Sequence, residues 1–164
     1  MALDRILPFL AEIGIVVRER PLAAPTFLPG ILIERGELVI DREKLAHPGD
    51  LLHEAGHIAV MPPSMRPQMN DNNLQSGPGE EMAAIAWSYA AAQRIGLDPA
   101  VVFHPAGYKN EAASLLENFA AGRYVGVPLL QWYGLTKERE DGSGAPVYPR
   151  MSRWLRAEPE MAMA

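Results

Sequence analysis

The spacing of apolar and polar positions divides the chain into a few recognisable elements. Leu3 to Ile13 has the helical period of an amphipathic helix, with Pro8 either kinking it or marking its true start and Gly14 able to end it. Ile15 to Arg20 reads as a strand, and Pro21 to Pro29, with three prolines, as a loop. Ile31 to Ile40 alternates as a hairpin turning near Arg35-Gly36. A mostly apolar run with Leu51, Leu52, Ala55, Ile58 and Ala59 follows. Pro48-Gly49-Asp50 opens it, with Asp50 as the expected N-cap, and Pro62-Pro63 stops it, so this run predicts a buried helix. Met61 to Gly79 carries four prolines, two glycines and the run Asn70-Asp71-Asn72-Asn73, the signature of a long loop and a candidate mobile flap.

The clearest helix is Glu80 to Ile95, with acids in its first turn, Arg94 in its last and Gly96 beyond it. Its alanines allow close packing against another helix. A short helix from Asp98-Pro99 to Phe103 and another over Asn110 to Ala121 are expected. Thr136 to Pro149 reads as a turn or mobile segment, and Arg150 to Arg156 as a short terminal helix. No internal repeat is visible.

Two polar groups stand out on the predicted buried helix. His53-Glu54-Ala55-Gly56-His57 reads H-E-x-x-H. On a helix, residues i and i+4 share a face, so both imidazoles can address one point and hold a zinc ion. Glu54 is then placed to take a proton from a bound water. Chance alone yields the pattern in roughly one chain of this size in a few hundred. The helix-start and helix-stop signals around it strengthen it. Histidines and a glutamate on a buried helix need partners, and one metal ion serves both rings. The alternative is an ordinary core helix with two hydrogen-bonded histidines.

Composition narrows the chemistry. The chain has 164 residues, 48% of them hydrophobic, enough for one compact domain spanning 1–164. With no cysteine there is no disulfide, thiolate metal site or cysteine nucleophile, so a metal must use His, Asp or Glu. A net charge of −5 without a basic cluster argues against nucleic acid. No signal peptide or membrane-length apolar run is seen, so a cytoplasmic protein is expected.

A catalytic zinc takes three protein ligands and leaves a place for water. The metzincin continuation needs Gly and His where this chain has Val60 and Pro63, which excludes that class. The other common arrangement draws a glutamate from a second helix downstream, and Glu80 and Glu81 open the Ala-rich helix. Two acids in a first turn also complement the helix dipole without any metal.

His53-Glu54-Ala55-Gly56-His57 followed by Glu81-Met82-Ala83-Ala84-Ile85-Ala86-Trp87 resembles a gluzincin-type zinc metallopeptidase, most nearly the small ImmA/IrrE-type proteins. In that family the second helix carries the ligand Glu, an Ala three residues on and an aromatic residue six on. Glu81, Ala84 and Trp87 fill those places; with Glu80 as ligand, Ala86 does not supply the aromatic. The family's usual Asn or Asp four residues after the Glu is Ile85 here. The similarity runs from the hairpin at Ile31 to the end of the Ala-rich helix. It implies a compact α+β zincin-like domain, with an HExxH metal helix, a second ligand-bearing helix and a small β-sheet.

His104 and Tyr108, in His104-Pro105-Ala106-Gly107-Tyr108, are candidates for stabilising an oxyanion at the substrate carbonyl. The alternative is a surface histidine and a tyrosine packed at a loop corner. His47 reads as a loop residue before the metal helix. Trp132, Tyr133 and Trp154 read as core or lid residues. The hairpin could offer an exposed edge for an extended peptide.

The expectation is therefore zinc-dependent hydrolysis of a peptide bond in a peptide or protein substrate. His53, His57 and Glu81 (or Glu80) hold Zn2+, and Glu54 is general base. The other reading is a non-catalytic zinc-binding regulatory or protein-interaction module on the same scaffold. Oligomeric state is not encoded in any feature of the sequence.

Overall fold

In the computed structural model, which describes residues 1–71 and 77–158, the chain is α+β. Among the described residues there are six α-helices and one three-stranded mixed sheet. Helix α1 (Ala2–Ile13) buries Ile6, Phe9 and Leu10 and runs through Pro8. Pro8 lies on the exposed face, where the carbonyl it leaves unpaired meets water. Strand β1 (Val17–Glu19) is shorter than the predicted run. Strands β2 (Ile31–Glu34) and β3 (Glu37–Ile40) form the expected hairpin. Arg35 and Gly36 both take left-handed φ values, 50° and 76°, as a two-residue type I′ turn requires. The sheet order is β1-β3-β2, with β1 parallel to β3.

The outer edge of β2 is not free along its length. Glu34 bridges to Asn70, Ile33 N–H donates to Asp71 Oδ1 at 2.7 Å, and Gly36 N–H donates to Met69 O at 3.0 Å. These contacts fasten the first part of the expected flap, which also holds a 3-10 turn at Arg66–Gln68. Residues 72–76 of that flap lie outside the described residues.

Helix α2 (Asp50–Ala59) carries the H-E-x-x-H motif. It is short, and a helix of about ten residues is marginal by itself, so its ends must be held. The N-cap is Gly49, not Asp50. The first N–H groups, of Asp50, Leu51 and Leu52, donate to the carbonyls of His47, Pro48 and Gly49, which leaves the Asp50 carboxylate for another partner. At the other end Arg66 donates to the Ile58 and Ala59 carbonyls, and Arg156 donates from its backbone to Ala59 O and from its side chain to Val60 O. Two guanidinium groups thus satisfy the terminal carbonyls of α2.

Helix α3 (Pro78–Ile95) begins two residues earlier than its sequence suggests, with proline in its first turn. Its stretch from Ala83 to Ala92 is buried throughout, so α3 is the central rod of the core. Trp87 packs with Phe9 and Trp154 and donates its indole N–H to Trp154 O at 2.9 Å. Tyr148 donates to Ala86 O at 2.7 Å. Helices α4 (Pro99–Val102), α5 (Ala112–Ala120) and α6 (Val127–Trp132) complete the shell. Sequence reasoning missed α6, although Gly126-Val127-Pro128 is a helix-start signal.

The expected terminal helix at Arg150 to Arg156 is absent. Ser152 N–H donates to Leu135 O and Arg156 N–H to Ala59 O, so tertiary partners take the bonds a helix would use. Trp132 is an exposed residue, Tyr133 stacks under the Arg156 guanidinium, and Trp154 joins the core. No helix among the described residues is long and apolar enough to cross a membrane.

α2 and α3 meet at Gly56. A Cβ added there would sit 2.9 Å from the Ala84 carbonyl oxygen and 3.2 Å from its Cα. Replacing glycine by alanine in a free helix gains about 1 kcal/mol. Overpacking a backbone contact costs about 1–3 kcal/mol, and here the second effect wins. Gly56→Ala is therefore expected to lower stability in urea unfolding; a variant more stable than the parent would show that the helices do not touch at this point.

Candidate metal centre

His53 and His57 project from one face of α2 toward Glu81 in the first turn of α3. His53 Nε2 lies 3.1 Å from Glu81 Oε1, His57 Nε2 lies 3.0 Å from Glu81 Oε2, and the two Nε2 atoms are 3.2 Å apart. The three side chains each offer one donor atom, and these lie within 4.8 Å of one another. A ring nitrogen has a single in-plane direction for a partner, so hydrogen bonds cannot align all three contacts together. A cation between the donors can. Bonds of about 2.0–2.1 Å at tetrahedral angles separate neighbouring ligand atoms by about 3.3 Å, close to the spacings found. With two imidazoles, one carboxylate and no thiolate, the donor set fits zinc.

Charge at the site follows the same lines. Burial works against ionisation of Glu81, but hydrogen bonds from His53 and His57 outweigh it and hold the carboxyl well below the usual carboxylate range. Burial also opposes charge on His57, yet its bond to Glu81 and the nearby Glu54 raise its pKa. The cluster therefore stabilises positive charge at its centre. The Glu81 side chain remains 42% exposed, so solvent reaches the cluster from that side.

Glu54 is buried on the same helix. Burial pushes its carboxyl up, His57 and His53 pull it down, and Asp71 and Glu81 add to the rise. Its carboxylate makes no hydrogen bond among the described residues, and its oxygens keep contact with solvent, unlike the sealed-off Nδ1 of His104. Its acceptor sites are thus left for a small polar guest such as water.

Of the two acids that open α3, the structure brings Glu81 to the histidines, and Glu80 stays outside the donor group. His104 is buried, not a surface residue. Its Nε2–H donates to Asp50 Oδ1 at 2.6 Å, while Nδ1 is buried without a partner among the described residues. His47 stacks on the His104 ring at 3.9 Å. The Tyr108 hydroxyl lies 3.4 Å from His53 Nδ1, the ring nitrogen remote from Glu81. Burial, with Asp50, Glu81 and Glu54 nearby, raises the phenol pKa and keeps it neutral. Neither His104 nor Tyr108 belongs to the three-donor group; both contact α2 instead.

Tyr108 has φ 60°, rare for a bulky L-residue and costing about 1–3 kcal/mol. Sequence reasoning missed the Asp50–His104 pair and the approach of Asp71 to Glu54. The one available hint was an acid at a helix start followed much later by a His-Pro step.

No protein-family model, curated protein or solved structure matches this chain.

Zinc added to metal-free protein should bind with a stoichiometry of one per chain. Glu81→Ala should weaken binding by more than the ~10–100-fold that loss of an outer partner costs, and Glu80→Ala far less. The reverse order in a chelator-competition titration would refute the assignment of Glu81.

Proposed function

We propose that the chain is a zinc-dependent hydrolase that cleaves a peptide bond. The observation that carries this reading is the convergence of His53, His57 and Glu81, with the buried carboxylate of Glu54, raised in pKa, next to His53 on the same helix.

His53, His57 and Glu81 hold the metal. Zinc bound there supplies Lewis acidity, polarising a carbonyl and lowering the pKa of water toward neutrality. Glu54 holds the attacking water by one oxygen, accepts its proton and delivers that proton to the departing nitrogen. The upward shift of its pKa suits it to both halves of that transfer, because the protonated form is not too acidic to persist. The Glu81 side chain is 42% exposed, so the centre is open to solvent from that side. Preference for a peptide bond over other hydrolysable bonds comes from the resemblance to ImmA/IrrE-type sequences, and with it the zincin-like description of the fold.

Glu54→Gln keeps size and shape and removes the proton acceptor. Zinc content should be unchanged, while cleavage of a quenched fluorescent peptide library should fall by ~10²–10⁴-fold. Near-normal turnover by a zinc-loaded Gln variant would remove Glu54 from the mechanism. A zinc-loaded parent protein that cleaves no peptide would favour the non-catalytic binding module.

A further inference from the structure

We propose that Tyr108 is the positioning residue for His53, its hydroxyl accepting the Nδ1–H of that imidazole and so turning Nε2 toward His57 and Glu81. The inference rests on reading the site as a zinc centre. An imidazole that gives Nε2 to a metal keeps its proton on Nδ1 and needs an acceptor there. Among the described residues, the group within hydrogen-bond reach of that atom is the Tyr108 hydroxyl, at 3.4 Å.

The tyrosine is built to stay in place. Its ring stands edge-on to His53, with centroids 5.5 Å apart at 83°, and edge-on to Phe103, 5.4 Å apart at 88°. Its left-handed backbone is a conformation that surroundings must impose, since local preference opposes it. Those surroundings are visible. Asp50 grips His104 at 2.6 Å, fastening the residues just before the 3-10 turn at Tyr108–Asn110 to the first turn of α2. Gly107 lies against the His104 ring, where a Cβ would come within 3.4 Å of Cε1. His47 covers that ring at 3.9 Å. Helix α2 therefore supplies both the metal-facing imidazole and, one turn earlier, the anchor of the residue that orients it. The strained residue thus sits directly against the His53 ring.

Tyr108→Phe removes the hydroxyl and keeps the ring. Competition with a chelating dye should show zinc held about 10–100-fold more weakly by the variant, with the metal-free proteins unfolding at the same urea midpoint. In cobalt-substituted protein the Nδ1–H of each ligand imidazole gives a shifted, exchangeable NMR signal. The His53 signal should exchange slowly in the parent and faster in the variant, and the His57 signal should not change. Equal zinc affinity in the two proteins overturns the proposal. So does rapid exchange of the His53 proton in the parent, a measurement that needs no variant. A parent that takes up no zinc overturns this inference together with the reading beneath it. Failure to cleave peptides, with zinc bound, counts against the peptidase reading alone.

Discussion

The contact between Gly56 on α2 and Ala84 on α3 sets the geometry of everything near the site. His53, Gly56 and His57 lie on one face of α2, at i, i+3 and i+4. Glu81 lies one turn before Ala84 on α3. Where the helices touch, backbone lies against a Cα with no side chain between. That closeness lets a short carboxylate on one helix reach two imidazoles on the other. A side chain at Gly56 would push the helices apart and move Glu81 away from both rings at once. The alanine run of α3 serves the same end along its length, since it lets surrounding elements pack against a thin rod.

Such an approach is useful only if α2 holds its own position, and ten residues do not do so by propensity. The chain solves this from its two ends. Carbonyls of the preceding loop take the first N–H groups, and Arg66 and Arg156 take the last carbonyls. Arg156 comes from the far end of the described chain, and its guanidinium also sits 4.1 Å over the Tyr133 ring. The non-helical segment around Arg156 thereby holds the end of α2 through bonds to Ala59 O and Val60 O.

Local features were legible in the sequence because each is written in adjacent residues. Arg35-Gly36 announces its turn, Pro62-Pro63 its helix stop, and Gly96 the end of α3. In the structure the Ala84 backbone lies against Gly56, and Trp87 packs in the core with Phe9 and Trp154. What could not be read depends on pairs remote in sequence. His104 before Pro105 signals a loop, but nothing near it signals that Asp50 will bury it. Asp50 itself looks like a cap until its carboxylate is claimed elsewhere. Arg150 to Arg156 has helical spacing, yet the carbonyls of Leu135 and Ala59 win its N–H groups.

The number of donors bears on what kind of centre this is. A structural zinc site closes its coordination with four protein ligands, while a catalytic one stops at three and stays accessible. Among the described residues the converging group has three members, and Glu81 faces solvent on one side. Glu54 sits near the cluster without joining it, buried enough to resist ionisation yet with acceptor sites unfilled. Under the hydrolase proposal, a buried carboxylate beside three converging donors has a use as the base, whereas a purely structural site would have no need of it.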